Sequence, residues 1–436
     1  MSKRISFQKQ VLGKLGIKKL NPMQEEAILA INSSSNTILL SPTGTGKTLG
    51  FLMPILSYLN KEKLEIQAII ILPSRELAIQ IEQVIRNIGS GFKANAVYGG
   101  RSFSKDKIEL KHPPAILVGT PGRIADHLRR ETFSTDAITT IVLDEFDKSL
   151  EIGFETEMKE IIAMLPNINK RILTSATQGL IIPKFVGLEN PLCINYLGDE
   201  TSKLKLKTIE SDSKDKLQTL VNLLCHKGNE PGIVFCNFKD TIQRVSDFLN
   251  QNSINHGCFY GDMEQMDREK ALIKFRNGTH QIILATDLAA RGIDIPQLKY
   301  IVHYQLPTKH QEFTHRNGRT ARMNAEGTAY ILKWKNENLP DFIQNSSVEA
   351  LTTQTKPKQS GWKTLWISGG RKDKISKGDI AGLFFKQGQL SHGELGLIEL
   401  KNDCAFAAVS ASKVDDVISL TNNCKLKKVK IRVTLT

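Results

Sequence analysis

The sequence predicts an α/β protein: two tandem parallel-sheet domains, then a small α+β module of β-α-β-β-α-β order. Three observations predict it. Short apolar, β-branched runs alternate with helical patterns through the first part of the chain. The alternation stops at the polar stretch Leu197–Ser213 and then restarts. A second polar stretch, Asn345–Gly361, precedes a final segment of different element order. The expected domains are 1–205, 206–345 and 363–436, with a linker at 346–362.

The strands of the first domain are expected at Ile38–Leu40, Ala68–Leu72, Ala115–Val118, Ile141–Leu143 and Arg171–Thr174. Those of the second are expected at Gly232–Cys236, Gln281–Ala285 and Tyr300–His303. The runs are apolar throughout, as in strands covered on both faces. Helical patterns such as Glu76–Ile88 and Met158–Leu165 lie between them.

At 436 residues the chain is too long for one core. No run of about 20 apolar residues exists, which excludes a membrane-spanning helix. The start, MSKRISFQKQ, lacks the apolar core of a secretory signal, which points to the cytoplasm. Six cysteines form no CxxC pair, so a zinc site is not expected. The net charge of +14 suits a polyanionic partner, and equally a solvated basic surface. The excess is concentrated late: residues 351–436 hold 15 Lys and Arg against 7 Asp and Glu.

Two motifs carry chemistry. SPTGTGKT, Ser41–Thr48, follows an apolar strand and opens a helix. Small residues let backbone N–H groups approach phosphates, and the helix N-terminus adds its dipole. Thr43, Gly44, Thr45 and Gly46 would line the phosphates, Lys47 would contact the outer ones, and Thr48 would ligate Mg²⁺. The strict pattern wants Gly where Ser41 stands. The second motif is IVLDEFD, Ile141–Asp147, in which a strand delivers two acids at its C-terminal end. Asp144 would hold Mg²⁺ and Glu145 would orient and deprotonate the attacking water.

The order and spacing of these elements resemble the DEAD-box family of RNA helicases. The resemblance covers residues 7 to about 330 and implies two RecA-like domains, ATP and Mg²⁺ as cofactors, and RNA as substrate. It implies that Gln24 reads adenine and that Phe7 stacks on it. PSRELA (Pro73–Ala78), Gly99–Gly100 and TPGR (Thr120–Arg123) resemble RNA-backbone segments, which places Pro73, Arg75, Gly100, Thr120, Gly122 and Arg123 on nucleic acid. In the second domain IVFCN, YGDMEQMDR and ATDLAARGID imply RNA contacts by Asn237, Gly261, Arg268 and Thr286, and a ribose contact by Asp294. HRNGRTAR, His315–Arg322, implies arginine fingers at Arg319 and Arg322. Asp147, Ser175, Thr177 and His315 are implied to couple nucleotide state to RNA. One departure stands out: Phe146 occupies the family's small third position. Overpacking there costs roughly 1–3 kcal/mol unless neighbours are smaller, which puts the coupling contacts in question.

Residues 363–436 resemble the RNA-recognition-motif module of DbpA-type helicases, chiefly in TLWISGGRKDKISKGDIAGLF. The resemblance implies an open sheet on which Trp366 and Phe406 stack bases. Lys428, Lys430 and Arg432 alternate with apolar residues, as along one strand face. Lysines on an edge strand also prevent sheet pairing, and a Trp and a Phe also suit a core. The resemblance implies action on structured large-subunit ribosomal RNA, pre-ribosomal particles as partners, and a role in ribosome biogenesis. A monomer is the default expectation. The alternatives are an ATP-gated RNA clamp with weak hydrolysis, motivated by Phe146, and a DNA-directed motor.

Overall fold

The computed structural model describes residues 2–177, 181–197, 204–287, 298–320, 326–343, 346–352 and 356–436, with side chains from Phe7 onward. The chain divides into two units, with the break between Ser202 and Lys203.

The first unit is built on a seven-stranded, all-parallel sheet. Its strands are β1 (Asn36–Leu40), β2 (Ala68–Ile71), β3 (Ala94–Val97), β4 (Ile116–Gly119), β5 (Thr140–Leu143), β6 (Lys170–Ser175) and β7 (Leu192–Asn195), in the order β3-β4-β2-β5-β6-β1-β7. Burial explains the apolar runs. Ala68 and Ile70 of β2 enter one core cluster, while Ile69 and Ile71 enter another on the opposite face. A period of two thus feeds two cores, and no position of the strand is left for a polar residue.

The second unit opens with another seven-stranded parallel sheet: β8 (Leu204–Ser211), β9 (Gly232–Phe235), β10 (Gly257–Phe259), β11 (Ile282–Ala285), β12 (Tyr300–His303), β13 (Gly327–Trp334) and β14 (Ser347–Val348). The order is β10-β11-β9-β12-β13-β8-β14. Two expected boundaries shift here. Leu204 and Lys205 pair with Gly327 and Thr328, so they belong to the second sheet rather than the first domain. Ser347 and Val348 pair with Lys207 and Thr208, so the expected linker begins as an edge strand. Strand pairing decides both, and polar composition does not report it.

The same unit carries the C-terminal module. Strands β15 (Trp362–Ile367), β16 (Leu395–Leu400), β17 (Ala405–Ser410) and β20 (Val433–Leu435) form an antiparallel sheet in the order β16-β17-β15-β20. Helices Lys377–Lys386 and Val414–Thr421 share a core with Leu365, Ile367, Ala405, Ala407 and Val409. The segment read as one cationic strand is instead a hairpin, β18 (Lys425–Leu426) and β19 (Val429–Lys430), followed by β20. Lys428 falls in its turn. The exposure pattern survives: Lys428, Lys430 and Arg432 are exposed, while Ile431 and Val433 are buried.

No described helix is long and apolar enough to cross a membrane. All six cysteines are free thiols.

Candidate nucleotide and nucleic-acid sites

The phosphate-binding loop connects β1 to the helix Lys47–Tyr58. Gly44 and Gly46 adopt φ of +87° and +83°, which a side chain would strain. Ser41 replaces the expected glycine without disturbing the turn. It is fully buried, its N–H donates to Ser175 O (3.1 Å), and its hydroxyl lies 2.7 Å from Thr45 Oγ1. Lys47 Nζ donates to Ser41 O (2.5 Å) and Pro42 O (3.0 Å). Burial holds the Lys47 ammonium below the ordinary lysine value, with Glu145 and Asp144 opposing.

Gln24 is locked to this loop. Asn21 caps the helix Pro22–Ser33 in a capping box with Gln24, whose Oε1 accepts from Asn21 N (3.0 Å). The other end of the amide, Nε2, donates to Gly46 O (3.1 Å), and Asn21 Nδ2 donates to Thr45 O (2.9 Å). The residue matched to base reading and the phosphate cradle therefore form one hydrogen-bonded unit. Phe7 packs half-buried against the first core cluster.

Strand β5 delivers Asp144 and Glu145, both buried, to the same edge of the sheet. Thr174 hydroxyl donates to Asp144 Oδ1. Burial pushes the Asp144 carboxyl up to about 6, Glu145 adds repulsion, and the Thr174 bond opposes both. Asp144 and the Thr48 hydroxyl are oxygen donors, the set a hard cation such as Mg²⁺ requires. Among the described residues no group of three His, Cys, Asp or Glu could hold a metal alone. A cation here would therefore draw the rest of its shell from phosphate oxygens and water.

Glu145 turns strand into helix within one residue, at φ 50° and ψ 47°. That turn resolves the Phe146 question. It aims Phe146 into the core, fully buried, in one cluster with Leu143, Met158 and Ile161. Thr177 Oγ1 still donates to Asp147 Oδ2 (3.0 Å), and Thr177 N donates to Ser175 Oγ (3.0 Å).

The first unit's RNA-matched segments are neighbours. Arg75 lies against Gly99 and Gly100, where a Cβ on Gly100 would come within 2.5 Å of its Nη1. Arg123 is committed internally: Nε donates to Asp106 Oδ2 (2.8 Å) and Nη2 to Arg101 O (2.5 Å). Fully buried Asp106 also meets Arg101 (3.1 Å) and His127 (3.3 Å). Arg123 thus holds the Gly100 and Thr120 segments in register. Pro73 is buried, and Thr120 and Gly122 are half-buried.

In the second unit the matched residues gather at the C-terminal ends of β10, β11, β9 and β12, the edge where parallel sheets bind ligands. Arg316 is the hub, and the motif reading gave it no role. It is 1 % exposed. It pairs with Asp287 (2.6 and 2.5 Å) and donates to Gln305 O (2.6 Å) and Asn237 Oδ1 (2.7 Å). Asn237 Nδ2 donates to Leu306 O (3.0 Å), so its side chain is spent on the scaffold. Arg268 packs over the Phe259 ring and donates to Gly261 O (3.3 Å). Thr286 is half-buried, while His315 and Arg319 are buried. Asp294 and Arg322 lie outside the described residues.

The module's sheet face is partly covered, and Trp366 on it is half-buried. Trp366 pairs directly with Phe406 across β15 and β17, on the face opposite the helices. Thr364, on that face, is 1 % exposed because it meets Thr279 (2.7 Å) and Asn277 (3.3 Å) of the second sheet's domain. Arg276 forms a bidentate pair with Glu399 (2.7 and 2.9 Å), and Lys401 meets Glu269 (3.0 Å). Phe406, directly opposite Glu399, is 5 % exposed and offers no free ring face. Of the two expected stacking rings, Phe406 is thus buried while Trp366 stays half-buried, and the neighbouring domain covers the part of the face at Thr364 and Glu399. No spacing in the sequence announces that contact.

Three stretches of the chain match known families. Residues 21–181 match the DEAD/DEAH box helicase family, residues 215–324 the helicase conserved C-terminal domain, and residues 364–435 the DbpA RNA binding domain. The ATP-dependent RNA helicase DbpA of Escherichia coli is 32 % identical, over 97 % of this chain and 96 % of that protein. Its Bacillus subtilis namesake is 29 % identical, over 96 % and 95 %. Among solved structures, S. cerevisiae Dbp5 bound to RNA and ADP BeF3 is 28 % identical with a TM-score of 0.67, covering 75 % of this chain and 86 % of that one.

Proposed function

The chain belongs to the DEAD-box ATP-dependent RNA helicase family, and from that premise we propose that it remodels structured RNA of the large ribosomal subunit during ribosome assembly. The observation that carries the ATP-dependent part of the reading is the single hydrogen-bonded unit of Gln24, Asn21 and the phosphate loop, set beside Asp144 and Glu145, and the match of residues 364–435 to the DbpA RNA binding domain supports its RNA part.

Each residue has a task. Lys47 exchanges its loop carbonyls for the outer phosphates of ATP, and the loop N–H groups cradle them. Thr48 and Asp144 would hold Mg²⁺, which would supply charge neutralisation for the phosphoryl transfer. Glu145 orients the attacking water and takes its proton. Arg319 and Arg322 stabilise the departing phosphoryl group when both ligands are bound. Thr177 and Asp147 report that change to the RNA side, with Ser175 and His315. RNA backbone meets Arg75, Gly100 and Thr120 in the first unit and the Gly261–Arg268 segment in the second.

The module addresses the enzyme to its RNA through the exposed Lys428, Lys430 and Arg432, since Phe406 and Thr364 on its sheet face are buried. Phosphate contacts of this kind select a structured RNA by the shape of its backbone rather than by its sequence. The protein acts as a monomer in the cytoplasm, on pre-ribosomal particles. Nothing about Phe146 favours the clamp alternative, because the Thr177–Asp147 contact stands beside it.

The test is steady-state ATP hydrolysis without RNA, with a generic structured RNA and with large-subunit ribosomal fragments, in the full chain and in a Lys428→Gln/Lys430→Gln/Arg432→Gln variant. Stimulation by one ribosomal fragment alone, reduced in the variant, is expected. Equal stimulation by every RNA would remove the ribosomal assignment and leave a general remodeller. Tight ATP-dependent RNA binding without phosphate release would establish the clamp.

A further inference from the structure

Lys148 stands next after the acidic motif, and the family motifs leave it without a role. Its side chain is fully buried. A buried ammonium is costly unless an opposite charge meets it. Here that charge is Glu145, whose Oε2 lies 2.8 Å from Lys148 Nζ. Backbone geometry makes the contact. Glu145 occupies the left-handed region, the helix Phe146–Ile152 starts immediately after it, and Lys148 comes three residues later. Helical side chains lean toward the helix N-terminus, so Lys148 reaches back over the first turn to the carboxylate.

We propose that Lys148 is a positioning residue for ATP hydrolysis, its buried ammonium holding the Glu145 carboxylate in the one orientation that meets the attacking water. The inference rests on the reading of Glu145 given above. A carboxylate has about four acceptor sites on its two oxygens, so one lysine contact fixes its plane without exhausting it. Lys47 does not serve this end, because its ammonium is directed at Ser41 O and Pro42 O. Asp144 immediately precedes Glu145, and two adjacent carboxylates repel. A fixed cation at Lys148 prevents Glu145 from swinging away from its neighbour. Phe146 and Ser149, buried on the same short helix, keep the helix from shifting and so keep Lys148 in place.

The experiment uses the full chain with Lys148→Met, Lys148→Arg, Glu145→Gln and the Glu145→Gln/Lys148→Met double variant. RNA-stimulated kcat, KM for ATP and RNA affinity with a non-hydrolysable ATP analogue are read for each. Lys148→Met is expected to lower kcat roughly ten- to a hundred-fold, as misplacement of a catalytic group does, with KM and RNA affinity nearly unchanged. Lys148→Arg is expected to recover most of kcat. Adding Lys148→Met to Glu145→Gln should cost nothing more, because the lysine acts through the glutamate. Full kcat in Lys148→Met, or additive losses in the double variant, would overturn the proposal while leaving Glu145 in its role. Unchanged turnover in Glu145→Gln would overturn the role of Glu145 itself, and the proposal with it. Should Lys148→Met fail to fold, Lys148→Arg and Lys148→Gln replace it, and equal kcat in those two overturns the proposal.

Discussion

Arg316 and Asp287 form a bidentate ion pair, Nε to Oδ1 at 2.6 Å and Nη2 to Oδ2 at 2.5 Å, with the guanidinium buried at the C-terminal edge of the second sheet. Through Arg316 the pair also ties Asn237, on the turn after β9, to Gln305, which follows β12. Removing one partner of a buried pair costs about 3–5 kcal/mol, because the other charge is left uncompensated. Arg316→Ala should lower the denaturant midpoint by an amount in that range. Arg316→Lys should recover only part of it, since an ammonium cannot form the fork. A midpoint unchanged in Arg316→Ala would show that the pair carries no net stability.

Phe146→Ala restores the small residue that the family places there. The expected outcome is nonetheless loss. Phe146 is fully buried among Leu143, Met158 and Ile161, and emptying such a site costs about 3–5 kcal/mol. Thermal or denaturant unfolding of the first domain should show the destabilisation, without a gain in RNA-stimulated turnover. A gain in turnover at unchanged stability would mean that Phe146 restrains the site.

Glu399→Arg places a like charge against Arg276 at the contact between the module and the second domain. The pair is bidentate but partly exposed, with side chains 24 % and 18 % accessible, so its loss is worth about 1–3 kcal/mol. Amide hydrogen exchange at Asn277–Thr279 and at Thr364 should quicken in the variant. The charge-swapped double variant Arg276→Glu/Glu399→Arg should slow it again. Unchanged protection in Glu399→Arg would show that Thr364 and Thr279 hold the contact without the ion pair.

His303 is buried between Phe235 and Phe313, its Nε2 3.0 Å from Asn317 Oδ1. Burial, helped by the Arg316 charge, pushes the imidazole down to about 3. An unfolded histidine titrates near 6.5. Between those values the unfolded chain takes up a proton that the folded chain refuses. The stability from keeping His303 neutral is therefore fully present above about pH 6.5 and is lost as the pH falls below it. The slope is at most about 1.4 kcal/mol per pH unit. His303→Phe keeps the ring stack and removes the titration, so its stability should fall less steeply between about pH 6.5 and 4. Equal slopes in both proteins would show that His303 is protonated in the fold.

Much of this protein was legible in the order of its residues. A fully buried parallel strand is apolar along its length, so Ala68–Leu72, Ile141–Leu143 and Gly232–Cys236 stood out as strands. Phosphate chemistry demands glycines at positive φ and a lysine at a helix start, so Gly44, Gly46 and Lys47 stood out as well. These are local demands, met within a few residues of chain. Tertiary packing decided the rest. The direction of Phe146 followed from the left-handed turn at Glu145 and from the space beside Met158. The pairing of Lys148 with Glu145 followed from that same turn. The commitment of Arg123 to Asp106, and of Asn237 to Arg316, joins residues 17 and 79 positions apart. The covered part of the C-terminal sheet's face depends on Thr364 meeting Thr279 across 85 residues. Residue type limits what a side chain can do. Which of those things it does depends on the neighbours that burial brings within about 3 Å, where hydrogen bonds form, and those neighbours are set by the fold.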